Sequence, residues 1–179
     1  LLKMNVKVLC TTDDPIDDLG YHKQIKASGY AIKVLPTFRP DKAMAVDDIA
    51  SFNAYVKSLS GVVGYSIQDL TTYKKAIAER HDYFHTSGGR LSDHGLEHIY
   101  AEDYTEEQIT KIFGQLISGA SVSAHEKWQF KSAMLVYFAH LDHAKGWTQQ
   151  FHLGRLPGNE IKKRVCGIRV IGDLPGDDL

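Results

Sequence analysis

The sequence lacks several features that would place a protein in a class at once. Its 179 residues include two cysteines, Cys10 and Cys166, which have neither metal nor redox spacing. A disulfide scaffold is therefore not expected. The two lone cysteines are instead consistent with a reducing compartment such as the cytoplasm. No apolar run approaches the roughly 18 residues that a membrane-spanning helix needs, and the start has no signal-peptide pattern.

Excess charge of either sign is also missing. The formal net charge is −1, which gives no electrostatic reason to expect a nucleic acid or an anionic membrane as partner. An apolar fraction of 43% is enough for a packed core. The chain opens on "LLKMNVKVLC", a strand with almost no lead-in, so we expect a fragment of a longer protein.

Short strand-like runs alternate with helical stretches along the chain. The predicted strands are residues 6–10, 31–38, 90–93 and 147–154, and the predicted helices are 15–28, 47–59, 66–88, 103–119 and 123–145. Asp14 before Pro15 suits a helix start, and Gly88 with Gly89 suits a left-handed helix end. Four alternations of strand and helix predict an α/β fold with about four parallel βα units.

Apolar spacing predicts which faces of two helices are buried. In the helix at 47–59 this face comprises Ile49, Phe52, Val56 and Leu59. In the helix at 123–145 it comprises Ala124, Trp128, Leu135, Phe138 and Leu141. The aromatic residues Tyr55, Phe113, Trp128 and Phe138 are expected in the core.

Polar or titratable residues follow each predicted strand. These positions are Thr11 to Asp14, Arg39 to Lys42, Asp93 with His94, and His152. The carboxyl ends of parallel strands share one edge, where ligands bind in barrels and open α/β sheets. The pattern predicts a functional site at this edge.

Each of these residues also has a plain structural interpretation. In "SDHG", His94 suits proton transfer or metal binding and Asp93 suits a base, but Asp93 could cap a turn in which Gly95 supplies a positive φ. Arg39 offers a planar fork of donors for a carboxylate ligand, but could be a surface residue paired with Asp41. Asp14 is expected to cap a helix.

Two histidine pairs have helical spacing and lie away from strand ends. They are His81 with His85, and His140 with His143. We interpret all four as surface or partly packed residues, because a metal site needs three or four ligands. "HGLEH" is not a metalloprotease motif, since its glutamate is misplaced.

Four motifs in order give a resemblance to a known family: "VLCTTDDPIDDLGYH", "VLPTFRPDKA", "GGRLSDHGLE" and "QQFHLG". Over roughly residues 5–154 the chain resembles the uronate isomerases, the glucuronate/galacturonate isomerases of the amidohydrolase superfamily. The resemblance implies a distorted (β/α)8 TIM barrel with helical insertions. Residues 1–154 would be its central part and residues 155–179 a divergent tail.

The resemblance also implies an activity in carbohydrate metabolism, an aldose–ketose isomerisation of hexuronates. D-glucuronate would be converted to D-fructuronate, and D-galacturonate to D-tagaturonate. His94 and Asp93 become candidate catalytic residues, and Arg39 and His152 candidate substrate-binding residues. The intact enzyme is expected to use a divalent metal, zinc or manganese, with His94 as a candidate ligand, and to form a homo-oligomer.

The chain departs from the family pattern in ways that affect its activity. It has no His-x-His pair, and about four strands cannot close an eight-stranded barrel. We therefore expect the isolated chain to be inactive. Two alternatives remain: a metal-dependent hydrolase of the same superfamily, or a non-catalytic βα fragment that self-associates through its exposed sheet edges.

Overall fold

The computed structural model describes residues 1–153 and 167–169 and has an α/β architecture. Its strands are β1 Val8–Cys10, β2 Lys33–Leu35, β3 Leu91–Leu96, β4 Thr148–Leu153 and β5 Gly167–Arg169. Its α-helices are α1 Gly20–Ala27, α2 Ile49–Val63, α3 Leu70–Thr86, α4 Glu106–Ile117 and α5 Ala124–Ala144, with 3-10 turns at Leu2–Met4 and Asp41–Met44. Among the described helices, none has the length and apolar character required to cross a membrane.

The strands form two small sheets that meet at one residue. β1 pairs parallel with β2, and β3 pairs parallel with β4 along all six residues of each. β5 adds to β4 in the antiparallel direction. Phe38 forms parallel bridges to Asp13 on one side and Ser92 on the other, so the chain segments after β1 and β2 continue into the β3–β4 sheet. The predicted parallel pairing of the first four strands is confirmed.

Strand lengths differ from those predicted. β2 is three residues long where 31–38 was predicted. β3 extends to Leu96, three residues beyond the predicted end at Asp93. Asp93 and His94 therefore lie within a strand, because pairing with β4 continues through them.

The first helix starts five residues later than predicted. It begins at Gly20, whereas residues 15–28 were expected to be helical. Asp14, Asp17 and Asp18 each accept a hydrogen bond from the backbone N–H two residues further on. These local turns satisfy the backbone without a helix, which is the usual competition that aspartate side chains offer.

Side-chain caps fix the start of the other helices. Asp48, Asp69, Thr105 and Ser123 each accept backbone N–H groups of the first turn. The predicted capping box from Thr105 to Gln108 is confirmed. These hydrogen bonds favour the ionised carboxylate and hold the pKa values of Asp48 and Asp69 below the usual value.

An aromatic cluster between the helices forms the centre of the core. Phe52 packs edge-on against Tyr73, Phe113 and Phe130. The predicted buried face of α2 is confirmed for Phe52, Val56 and Leu59, while Ile49 is partly buried. Burial of such large side chains contributes about 1.5–3 kcal/mol each relative to exposure.

The predicted buried face of α5 is wrong in its first turns. Ala124 is exposed, and Trp128 is 43% exposed rather than part of the core. The prediction is confirmed for Leu135 and Phe138, and Leu141 is partly buried. The buried face also includes Phe130 and Met134, which precede Phe138 at intervals of four residues, as the helical repeat requires.

Candidate active site

The four residues predicted for the site lie close together, three of them within β3 and β4 and Arg39 in the segment after β2. Asp93 is at the centre of the group: its Oδ1 lies 3.0 Å from His152 Nε2 and 3.3 Å from Arg39 Nη2. His94 follows Asp93 in β3 and is fully buried. The side chains of Arg39 and His152 are partly exposed, so the group is reachable from solvent on their side.

Asp41 is a further member that the sequence analysis treated only as a surface partner of Arg39. Its Oδ2 lies 3.2 Å from Arg39 Nε and accepts the Gly95 N–H at 2.9 Å. Its Oδ1 lies 3.6 Å from His94 Nδ1. Asp41 therefore links Arg39 to the His94 end of β3, and its position two residues after Arg39 was the available signal.

A glycine is needed at position 95 because side chains of the site lie close to its Cα, and not because the backbone has a positive φ. The predicted positive φ is wrong, because Gly95 is an extended residue of β3. A Cβ at this position would lie 3.0 Å from Arg39 Nη2 and 3.3 Å from Asp41 Oδ2. The missing side chain lets the arginine and the carboxylate lie directly against the strand. At the end of α3, Gly88 does have the predicted positive φ, of 106°.

The loop after β1 contributes one direct contact and several supporting ones. The Thr12 hydroxyl donates to Asp93 Oδ2 at 3.1 Å. The Thr11 hydroxyl donates to Asp13 at 2.6 Å, and its oxygen lies 2.7 Å from His22 Nε2. The loop thus contacts Asp93 Oδ2, whereas Arg39 contacts Oδ1.

Asp14 faces a different neighbour. It accepts the Tyr55 hydroxyl at 3.2 Å and pairs with Lys42 at 3.2 Å. Burial, together with the nearby Tyr73 and Asp14, raises the pKa of Tyr55 well above its usual value. Tyr55 and Lys42 therefore hold the Asp14 end of the loop, and neither of these contacts involves Asp93.

Several buried polar atoms of the site have no hydrogen bond. Within the described part of the chain, these atoms are Arg39 Nε, Asp41 Oδ1, Asp93 Oδ1 and His94 Nδ1, with His81 Nδ1 and Gln115 Oε1 elsewhere. Buried polar atoms are normally paired, and exceptions concentrate where a ligand or reaction uses them. Arg39 Nε and Asp93 Oδ1 nevertheless belong to the ion pairs described above, so His94 Nδ1 and Asp41 Oδ1 are the two site atoms most available to a ligand.

A second polar group lies behind His94, inside the core. Ser92 and Gln149 each lie 3.2 Å from His94 Nε2. The Ser92 hydroxyl donates to Asp142 at 2.6 Å, and Asp142 lies 3.0 Å from His81 Nε2.

The interpretation of His81 as a surface or partly packed residue is wrong, since it is fully buried. Its position four residues after the buried Ile77 and three before the buried Phe84 was the available signal. His85 is half-buried and accepts the Trp147 indole N–H at 3.0 Å. Burial, with smaller effects from nearby cations, lowers the pKa of His85. His140 and His143 are exposed, as expected.

The site offers two candidate ligands for a divalent metal. His94 Nδ1 and Asp41 Oδ1 are buried, unpaired and 3.6 Å apart, a separation that two ligands of one ion can have. A protein zinc site uses three or four such ligands. Across residues 1–153 no group of three or more His, Cys, Asp or Glu side chains is arranged to hold a metal, so the described residues do not form a complete metal site.

Parallel strands that end on arginine, carboxylate and imidazole groups define an α/β protein with a site suited to a small polar ligand. A model of the glucuronate isomerase family matches residues 1–168. The chain belongs to this family, and the resemblance noted from its motifs is confirmed.

Curated relatives agree with the family assignment. The uronate isomerase of Bacteroides thetaiotaomicron is 52% identical over 160 residues, covering 89% of this chain and 34% of the relative. That of Cellvibrio japonicus is 48% identical with the same coverage. That of Solibacter usitatus is 43% identical over 183 residues, covering 99% of this chain and 39% of the relative. The chain spans about a third of the length of these relatives.

Two solved structures share the fold. The crystal structure of uronate isomerase from Thermotoga maritima superposes with a TM-score of 0.81 at 30% identity, over 85% of this chain and 34% of that one. The structure of glucuronate isomerase from Caulobacter crescentus gives 0.76 at 24% identity, over 84% and 31%. In both comparisons the matched part is about a third of the solved chain.

Proposed function

We propose that this chain forms part of an isomerase that interconverts D-glucuronate and D-fructuronate, and D-galacturonate and D-tagaturonate. The observation that carries the proposal is the contact group of Arg39, Asp41, Asp93, His94 and His152, formed by β3, β4 and the segment after β2. The relatives are named isomerases, which favours this activity over a metal-dependent hydrolase. Since the chain spans about a third of its relatives, it would supply one part of the complete site.

The reaction moves two protons without a change in composition. The C2–H bond breaks and a C1–H bond forms, while the hydroxyl proton on O2 is replaced by one on O1. A base must therefore accept a proton at C2 and return one at C1. We assign this role to Asp93 or His94: His94 Nδ1 has no hydrogen bond, and Asp93 Oδ1 lies between Arg39 and His152.

Arg39 is proposed to anchor the carboxylate of the sugar acid. Its two ion pairs involve Nε and Nη2, and neither involves Nη1, so donors of the guanidinium fork remain for the ligand. A carboxylate bound by arginine is held in both position and orientation. His152, 45% exposed beside Asp93, is proposed to contact a sugar hydroxyl.

The wider context is part of the same proposal. Four parallel strands follow one another in chain order, as in a segment of a (β/α)8 barrel of the amidohydrolase superfamily. A divalent metal, when bound, would stabilise negative charge on the substrate oxygens. His94 and Asp41 could contribute to holding it, and the remaining ligands would lie outside the described residues. A cytoplasmic location and a homo-oligomer complete the proposal.

Binding of the sugar acid by this chain can be tested by NMR. Titration with D-glucuronate should shift the Arg39 Nε–H and Gly95 N–H signals, and D-glucose, which lacks the carboxylate, should not shift them. Arg39→Lys keeps the charge but removes the fork, and should abolish the response. Arg90→Lys is the matched control, because Arg90 donates to backbone carbonyls at the start of β3. Equal shifts with both sugars, or an unchanged response in Arg39→Lys, would contradict the proposal.

A further inference from the structure

We propose that Ser92 and Asp142 are positioning residues that keep the proton of the neutral His94 imidazole on Nε2, so that Nδ1 offers a lone pair to the candidate active site. The use of that lone pair in the isomerisation rests on the proposed function. The arrangement of the protons does not, and it follows from the hydrogen bonds of four buried side chains.

The chain of hydrogen bonds begins at Asp142 near the end of α5. Asp142 is 2% exposed, and a buried carboxylate is costly unless donors surround it. Its donors come from two other elements: the Ser92 hydroxyl in β3 at 2.6 Å and His81 Nε2 in α3 at 3.0 Å. Asp142 therefore acts as an acceptor towards both neighbours.

Ser92 transmits this constraint to His94. A serine hydroxyl has one proton, and at 2.6 Å from a carboxylate that proton is committed to Asp142. The Ser92 oxygen can then only accept from His94 Nε2, which lies 3.2 Å away. The His94 tautomer with its proton on Nε2 therefore completes the chain of hydrogen bonds from the Asp142 carboxylate through the Ser92 hydroxyl to the imidazole.

Gln149 favours the opposite arrangement. Its amide nitrogen also lies 3.2 Å from His94 Nε2, and an amide N–H can donate only to an unprotonated ring nitrogen. The path from Asp142 through Ser92 begins at a charge-assisted hydrogen bond, and such bonds are about twice as strong as neutral ones. Half a turn of the Gln149 amide would present its oxygen to the same proton, so the Ser92 arrangement does not leave that proton facing an amide N–H.

The consequence appears on the other side of the ring. His94 Nδ1 and Asp41 Oδ1 face each other at 3.6 Å, and neither has a hydrogen bond. With the proton on Nε2, both atoms are acceptors, and a donor such as a sugar hydroxyl can satisfy them together. Phe138 and Phe151 stack on the ring with centroid distances of 5.9 and 5.3 Å, which fixes the direction of the lone pair.

The tautomer of His94 can be read directly from the free chain. Two-bond nitrogen–proton correlations of chain labelled with 15N-histidine, at a pH where the ring is neutral, should show the Nε2–H form as the major species. Ser92→Ala removes the acceptor that Asp142 orients, while Gln149 can donate to Nε2 and Asp41 Oδ1 faces Nδ1 at 3.6 Å, so the Nδ1–H form should become the major species. Ser92→Thr retains the hydroxyl and should restore the wild-type spectrum. Ser58→Ala, an exposed serine of α2, controls for the loss of a hydroxyl elsewhere.

Two further variants separate the contributions of Asp142 and Gln149. Asp142→Asn replaces one acceptor atom with a donor, so at least one of His81 and His94 must change tautomer. Gln149→Ala should leave His94 in the Nε2–H form. The inference is overturned if wild-type His94 is mainly Nδ1–H, if Ser92→Ala leaves the tautomer unchanged, or if Asp142→Asn changes neither histidine. None of these measurements involves sugar, so their failure is distinct from failure of the proposed isomerase activity.

Discussion

Replacing Gly95 with alanine tests whether the candidate site depends on the close approach of Arg39 and Asp41 to the β3 backbone. The new Cβ would lie 3.0 Å from Arg39 Nη2 and 3.3 Å from Asp41 Oδ2. At these distances the two side chains must move away by a few tenths of an ångström. Both are partly exposed, so they can move, and the perturbation is expected to change the site without unfolding the protein.

The size of the effect follows from the contacts that are disturbed. Displacing Asp41 weakens the 2.9 Å hydrogen bond from the Gly95 N–H, and a hydrogen bond to a charged group contributes about 1.5 kcal/mol. The smaller conformational freedom of unfolded alanine offsets about 0.5 kcal/mol of this loss. The free energy of unfolding should therefore fall by about 1 kcal/mol, which lowers the urea midpoint by about 0.5 M for an m-value of about 2 kcal/mol/M.

Gly114→Ala is the matched control for this measurement. Gly114 lies inside α4, and a Cβ there would meet no atom within 4 Å. Alanine should stabilise this position by about 0.5–1 kcal/mol. The NMR response to D-glucuronate should weaken in Gly95→Ala and persist in Gly114→Ala. The steric reasoning is refuted if Gly95→Ala is as stable as Gly114→Ala and binds the sugar acid like the wild type.

Three other predictions concern a helix cap, a sheet edge and activity. Ser123→Ala should lower the free energy of unfolding by about 1 kcal/mol, measured in urea. In the wild type, hydrogen bonds from the Ser123 backbone N–H and hydroxyl lower the pKa of Glu126 below 4.5. That stabilisation is complete above pH 4.5 and is lost as the pH falls through the lowered pKa, so Ser123→Ala should lose less stability than the wild type on acidification. Val8 in β1 is 48% exposed, and the chain is expected to self-associate through this edge. Light scattering should show fewer oligomers for Val8→Lys than for the wild type. Val62→Lys is the control and should cause no change, because Val62 is similarly exposed but lies on α2. A monomeric wild type would count against association through β1. Finally, the isolated chain should not convert D-glucuronate to D-fructuronate even with added Zn²⁺ or Mn²⁺, and measurable turnover in a clean preparation would disprove the assumption that further residues are essential.

The meeting of Arg39, Asp93, His94 and His152 could be predicted because it depends only on strand direction. Parallel strands run towards one edge, so residues of β3, β4 and the segment after β2 come together even when the predicted strand limits are wrong by several residues. The contacts of Asp41 with β3 were not predicted, because Asp41 was interpreted only as an ion-pair partner of Arg39. Its contact with the Gly95 N–H depends on the register between segments, which local spacing does not reveal.

The group behind His94 could not be predicted for a related reason. His81 and Asp142 are 61 residues apart in sequence and lie on different helices. The pattern around each residue indicates burial, but the choice of partner depends on how α3 and α5 pack. The late start of α1 has a local cause, since the aspartates at positions 14, 17 and 18 satisfy nearby N–H groups before a helix can begin.

The junction at Phe38 sets the position of Arg39 relative to Asp93. The Phe38 N–H donates to Leu91 at 3.2 Å, and its carbonyl accepts the Asp93 N–H at 3.0 Å. Arg39 follows this residue directly, so the 3.3 Å separation of Arg39 and Asp93 begins from backbone positions that these two hydrogen bonds hold. The ring of Phe38 packs edge-on against His81 and Phe84, which connects the geometry of the site to the packing of the core.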